Sequence, residues 1–422
     1  MRRKYEINKY LNRVVVTGMG VICSIGYSNG AFFENLRNGV SGVRRITHFD
    51  PTEYATQIAA EVSDFAPANY MEQKQLKRMD RFAQFAVAAS SIAVEDACLK
   101  IGEENAEDTG VLVASGVGGL YTVEEQHKRL IELGPARVSP LLIPMMIPNM
   151  AAAQVSIHFG ARGPVNSVCT ACAAGTHAIG DAFEVIRRGD ARIMLCGGGE
   201  ASITPLGISG FAAMKTMSTR NDEPQRASRP FDIERDGFVM GEGAGILVLE
   251  ELQSAISRGA RILAEVSGYG STGDAYHLTA LESSGINAAR AMQNAMIDAG
   301  VSCDEIGYIN PHGTSTPLND EVETKAIKIA LGERAYNVPI SSTKSMTGHC
   351  LGAAGAIEAA ICVDVICNGV IPPTINLDMP DPLCDLDYVP KVSRVKNVDV
   401  AMSNSMGFGG HNATIIFKRY ID

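Results

Sequence analysis

The chain alternates short apolar runs with stretches of helical periodicity from end to end, and that alternation constrains its fold most. Arg13-Val-Val-Val-Thr-Gly-Met-Gly20 reads as a buried strand closing in a glycine turn, and further strands are predicted at 111–115, 193–197 and 246–250. Helices are predicted near 31–38 and over 74–99 and 206–217. The second half repeats the pattern: strand 264–269, helix 284–300, strand 306–310, helix 319–331, strand 338–341, helix 351–368 and paired strands at the C-terminus. Strands alternating with helices dictate an α/β fold with largely parallel sheets covered on both faces. The predicted organisation is a polar arm over residues 1–12, then two halves, 13–260 and 261–422, with the charged segment 251–261 as their boundary.

Composition narrows the function. With 422 residues, 46% of them hydrophobic, the chain can bury a large core. A net charge of −10 argues against nucleic acid as the main partner. No uninterrupted apolar run approaches the roughly 18 residues of a membrane span, and the first twelve residues lack the apolar core of a signal peptide. Ten cysteines lie mostly within apolar segments, which predicts reduced thiols and a cytoplasmic protein.

The segment Asn166-Ser-Val-Cys-Thr-Ala-Cys-Ala-Ala-Gly175 reads as a strand end, a small-residue turn and a helix start. Ala178, Ile179, Ala182, Phe183 and Ile186 continue it at helical spacing. Cys172 therefore sits where unpaired N–H groups and the helix dipole favour a thiolate, and its pKa is expected to fall. Cys169 and Cys172 form a Cys-x-x-Cys, but no second close pair completes a zinc site; Cys169 is expected to be buried packing. Gly18, Gly20 and Gly26 do not have dinucleotide-binding spacing. Gly116-Val-Gly-Gly119 reads as close backbone packing beside a pocket, and Met145, Met146 and Met150 as core filling.

Two polar loops at strand ends carry the remaining chemistry. Pro311-His-Gly-Thr-Ser-Thr316 places His312 at a turn, and Lys344-Ser-Met-Thr-Gly-His349 precedes an Ala/Gly-rich helix. Loops at strand ends are where α/β proteins keep reactive groups. A glycine loop, Ser405-Met-Gly-Phe-Gly-Gly-His-Asn412, offers bare backbone N–H groups for an oxyanion.

Taken together, Thr170-Ala-Cys-Ala-Ala-Gly175, His312-Gly-Thr-Ser-Thr316, Lys344-Ser-Met-Thr-Gly-His349 and Gly407-Phe-Gly-Gly410 make the chain resemble the elongating β-ketoacyl-acyl carrier protein synthases over residues 13–420. It is similar as well to the ketosynthases of dissociated polyketide systems. The resemblance implies a thiolase-like fold, two similar α/β halves stacked as five layers (αβαβα). It implies Cys172 as the nucleophile that carries the acyl chain, and His312 and His349 as donors that stabilise the enolate left when malonyl-carrier loses carbon dioxide. The backbone N–H groups of Cys172 and Phe408 would hold the oxyanion. Lys344 would support the histidines within a charge network of Asp320 and Glu358. Thr314 and Thr316 would bind the pantetheine arm, and Val117 and Phe211 would line the acyl pocket. Lys74, Lys77, Arg78, Arg137 and Lys215 match a basic patch for an acidic acyl carrier protein.

No metal and no bound cofactor is expected, the substrates being carried on the phosphopantetheine of the carrier. The expected assembly is a homodimer, or a heterodimer with a ketosynthase-like chain-length factor. The sequence departs from the family pattern at Pro311, Met406 and His411.

Overall fold

Glycines and alanines at matched places in the two halves let helices lie against strands at backbone distance. The computed structural model describes residues 11–421, so most of the polar arm over residues 1–12 lies outside the described residues. Nine strands form the main sheet: β1 Val14–Cys23, β2 Thr109–Ala114, β3 Val165–Asn166, β4 Ile193–Glu200, β5 Gly243–Glu251, β6 Ala264–Gly273, β7 Tyr308–Asn310, β8 Val400–Gly407 and β9 His411–Lys418. The helices that matter here are α1 Arg81–Asp96, α2 Ala174–Arg187, α3 Ile286–Ala299, α4 Pro317–Leu331 and α5 Ala354–Asn368.

The strand order is β3-β2-β4-β5-β1-β6-β9-β8-β7. Only Val14–Val16 and Ala264–Val266 join β1 to β6, so the sheet is two half-sheets meeting at a narrow seam. Outward from the seam, each half repeats one topology. Strand β1 is antiparallel to β5, β5 antiparallel to β4, and β4 parallel to β2. Strand β6 is antiparallel to β9, β9 antiparallel to β8, and β8 parallel to β7. The sheets are thus mixed rather than largely parallel. The sequence pattern located most of these strands, although the strand expected at 338–341 is only an isolated bridge between Ile340 and Ile309; direction depends on how each connection crosses, which periodicity does not encode.

The duplication extends to packing. A Cβ on Gly20 of β1 would stand 2.1 Å from Ala89 O of α1, and one on Gly270 of β6 would stand 2.0 Å from Ala291 O of α3. Helices α1 and α3 cover the outer faces, while α2 and α5 lie side by side between the half-sheets, giving five layers. Helix α5 belongs to the one stretch among the described residues, Leu351–Asn368, that is long and apolar enough to cross a membrane; 89% of it is buried in this middle layer. Glu358 and Asp364 interrupt its apolar sequence, which is why no uninterrupted run is visible.

The predicted helix over 74–99 is broken. A short turn, Gln73–Leu76, ends before Lys77, and α1 starts at Arg81, capped by the Asp80 carboxylate, which accepts from Phe82 N. Asp80 also accepts from Thr122 N and Oγ1 at 3.0 and 2.6 Å, a tertiary anchor that overrides the local periodicity.

Candidate active site

The N-termini of α2 and α5 meet because neither carries bulk there. A Cβ on Gly355 would stand 2.1 Å from Thr176 Oγ1, and one on Gly175 would stand 2.9 Å from Ala356 N. The turn before α2 holds Cys172 and the turn before α5 follows His349, so contact between two helix starts brings the two halves' loops together. Strand β8 closes the third side: a Cβ on Gly407 would stand 2.6 Å from Thr170 O and 3.2 Å from Cys172 N.

Between these loops lies a cavity of about 150 Å³ whose walls include Cys172, His312, His349, Phe211, Phe238 and Phe408. The imidazoles of His312 and His349 stand edge to face, centroids 5.2 Å apart. Both are buried, and burial, reinforced by the Lys344 ammonium, holds both well below the ordinary histidine range. They are therefore neutral near pH 7. Nδ1 of each ring is buried without a hydrogen-bond partner among the described residues. His349 donates its backbone N–H to Val239 O at 2.7 Å, and Phe238 packs against its ring at 5.5 Å. Phe238 packs in turn on Phe211, and Phe211 on Phe408, so an aromatic row runs from the histidine to the glycine loop.

The cysteine departs from expectation. Cys172 lies in the tight turn Ala171–Ala173 that precedes α2, and it is buried. Burial pushes its thiol up to about 12, even though Lys344 and the backbone N–H groups of Cys172 and Phe408 pull the other way. Desolvation of the anion thus outweighs the helix-start effect anticipated from sequence.

The structure sorts the other candidates. Lys344 is buried and ion-paired with Glu358 on α5, whose carboxyl burial pushes up to about 7. Asp320 does not join that pair. It faces Arg235 at 3.5 Å and accepts from Phe231 N and Ser315 N, bracing the threonine loop instead. The carboxylate beside the histidine loop is Glu323, three residues along α4, which accepts from His312 N and Gly313 N, both at 2.7 Å. Its signal was the spacing of three from Asp320, which puts both on one helix face.

Thr314 and Thr316 line the cavity with their hydroxyls 3.0 Å apart. Phe211 lines it too, whereas Val117 is not on its wall and is 38% exposed. Cys169 is exposed rather than buried, three residues after the exposed edge strand β3. Pro311 and Met406 are both buried, and Met406 lines the cavity with an apolar thioether. Lys74, Lys77, Arg78, Arg137 and Lys215 are all exposed, and among the described residues none is ion-paired. Sequence reasoning also passed over Glu200 and Phe238. A glutamate directly after three glycines at a strand end was the available signal for the first.

A buried thiol, two neutral imidazoles and a glycine loop around one cavity, on a duplicated α/β fold, define a condensing enzyme of the ketosynthase class. The chain belongs to the β-ketoacyl synthases: residues 11–255 match the family's N-terminal domain and 263–378 its C-terminal domain. It is 54% identical over 408 residues to a 3-oxoacyl-[acyl-carrier-protein] synthase 2 of Synechocystis sp., covering 97% of this chain and 98% of that protein. Among solved structures it is similar to the ishigamide ketosynthase/chain length factor, with TM-score 0.92, 37% identity, and coverage of 97% of this chain and 100% of the other. It is also similar to a type II polyketide ketosynthase in complex with its acyl-carrier protein and bound to the hexaketide, at TM-score 0.90 and 36% identity, with the same coverage.

Proposed function

We propose that this chain is an elongating 3-oxoacyl-acyl carrier protein synthase of fatty acid synthesis. Cys172 takes the acyl group as a thioester and His312 and His349 hold the thioester carbonyl of malonyl-carrier. As carbon dioxide leaves, their N–H groups stabilise the enolate, whose carbon attacks the acyl-Cys172 carbonyl. The backbone N–H groups of Cys172 and Phe408 take the resulting oxyanion, and collapse returns the thiol with 3-oxoacyl-carrier. One observation carries the reading: the thiol and both neutral imidazoles share one wall-to-wall cavity. Decarboxylation generates the carbanion, so donors are needed and a strong base is not, which suits histidines held neutral.

Burial, reinforced by Lys344, keeps those imidazoles unprotonated, with Glu358 balancing the lysine's charge and Glu323 holding the His312 loop. Thr314 and Thr316 bind the pantetheine arm at the mouth, and Phe211 lines the acyl path. Residues 13–260 supply the nucleophile and 261–422 the donors and glycine loop, a division supported by the repeated strand topology. The substrates bring their own prosthetic group, the phosphopantetheine of acyl carrier protein, which docks on Lys74, Lys77, Arg78, Arg137 and Lys215. A homodimer is supported by the exposed edge of β3 and by the exposed apolar side chains of Val117, Tyr121, Ile131, Ile143 and Ile157, at 38–73% exposure. The cytoplasm is the proposed compartment, in keeping with ten free cysteines.

Incubation with malonyl-carrier and a ladder of saturated acyl-carriers, read by product mass, tests the reaction. Products two carbons longer with a 3-oxo group, from the single chain, are expected. Poly-β-keto or polyene products, or turnover only with an added chain-length partner, would instead identify the ketosynthase of a polyketide or aryl-polyene pathway, a reading with which the similarity to such structures is consistent.

A further inference from the structure

Glu200 ends β4 and is wholly buried, yet the condensation outlined above makes no use of it. Its Oε2 accepts from the backbone N–H of Gly116 at 2.8 Å and of Gly352 at 3.0 Å. Its Oε1 accepts from the hydroxyls of Ser115 at 3.0 Å and Ser202 at 3.3 Å. Those donors come from both halves: Ser115 and Gly116 follow β2, and Gly352 stands three residues after His349. The nucleophile turn touches the same point, since a Cβ on Gly116 would stand 2.9 Å from Glu200 Oε2, 3.3 Å from Ala171 O and 3.4 Å from Gly352 N. Ala171 and Leu351 both hold left-handed backbone, with φ of 51° and 46°. Non-glycine residues keep that conformation only where the surroundings over-determine it. One precedes Cys172 directly and the other follows His349 by two residues.

Resting on the roles given above to Cys172 and His349, we propose that Glu200 is a positioning residue for the condensation, its buried carboxylate locking the nucleophile turn of one half to the turn behind His349 in the other. Its charge has a second consequence. Around the Cys172 sulfur, Lys344 favours the thiolate and Glu200 opposes it, while the remaining titratable groups on the cavity, His312 and His349, are neutral.

Glu200→Gln keeps the shape, removes the charge and replaces one acceptor by an amide NH₂ that cannot accept from a backbone N–H. Condensation kcat is expected to fall tenfold or more, with KM for malonyl-carrier within about twofold, because displaced reacting groups cost rate rather than binding. Alkylation of Cys172 by iodoacetamide at pH 8, read on its peptide by mass spectrometry, is expected to quicken several-fold. Labelling of the fully buried Cys196 and Cys362 should stay unchanged, which separates a changed thiol from a loosened fold. Glu200→Asp keeps the charge but shortens the reach, so kcat falls while Cys172 alkylation stays at the parental rate.

A Glu200→Gln protein condensing within twofold of the parent overturns the proposal. So does labelling of Cys196 and Cys362 that rises in step with Cys172. If Glu200→Gln does not fold, Glu200→Asp decides, and parental kcat there overturns it equally. A parent that is alkylated at Cys172 but extends no acyl-carrier refutes the proposed function instead, and the alkylation arm still reads Glu200.

Discussion

Replacing Lys344 by Met removes the ammonium paired with Glu358 and leaves that carboxyl in a dry core. In the parent, burial lifts Glu358 from its ordinary 4.5 to about 7 although Lys344 opposes the rise. Between those values the folded protein holds a proton that the unfolded chain has released, so stability falls as pH rises. This fall is common to parent and variant. Above pH 7 the parent's Glu358 ionises while folded and its contribution levels off. In K344M the carboxyl keeps its proton, so stability continues to fall at about 1.4 kcal/mol per pH unit. By pH 8.5 the gap opened by Glu358 alone is about 2 kcal/mol. Glu323, which burial also lifts to about 7 against the Gly313 and His312 N–H groups and Lys344, widens it in the same sense. The total stays within the roughly 3–5 kcal/mol expected when one partner of a buried ion pair is removed. Equilibrium urea unfolding from pH 5.5 to 8.5 measures it, followed by circular dichroism because the chain has no Trp. Stability curves that run parallel to pH 7 and then diverge are the expected result. A gap equal at both ends of the range, or one that narrows with pH, would refute the account of the charge cluster.

Reversing Lys77 and Arg78 to Glu should raise KM for carrier-linked substrates while sparing transfer from small thioesters; equal losses with both would sink the docking surface. Alkylation of Cys172 should climb about tenfold per pH unit from pH 7 to 9 with no plateau, since burial places the thiol near 12; a plateau below pH 9 would show a thiolate already formed. Gly355→Ala drives a methyl to 2.1 Å from Thr176 Oγ1 and should cost about 1–3 kcal/mol and slow condensation, whereas Gly30→Ala, with open space around it, should do neither. Thermal unfolding and turnover of the two variants make the comparison.

Much of the site was legible in the residues. Cys172, His312, Lys344 and His349 stand in loops bounded by clear strand and helix patterns, and such boundaries are local. What misled was also local reasoning. Cys172 at a helix start predicted a thiolate, but the deciding term is burial, which depends on elements more than 100 residues away. Asp320 and Glu323 lie on one helix face, and only tertiary contact assigns the first to Arg235 and the second to the His312 loop. Lys74–Leu99 reads as one helix because its periodicity is continuous; the break at Asp80 comes from Thr122, across the fold.

The residues alone determined that strands and helices alternate through two halves and that small side chains cluster before the helices of Cys172 and His349. Those are consequences of periodicity and side-chain volume, which a chain carries with it wherever it goes. Strand direction, the meeting of two helix starts at Gly175 and Gly355, and the protonation of the groups gathered there were decided only in three dimensions. Each of these depends on which distant groups exclude water from one another, and desolvation and close approach are properties of the packed molecule.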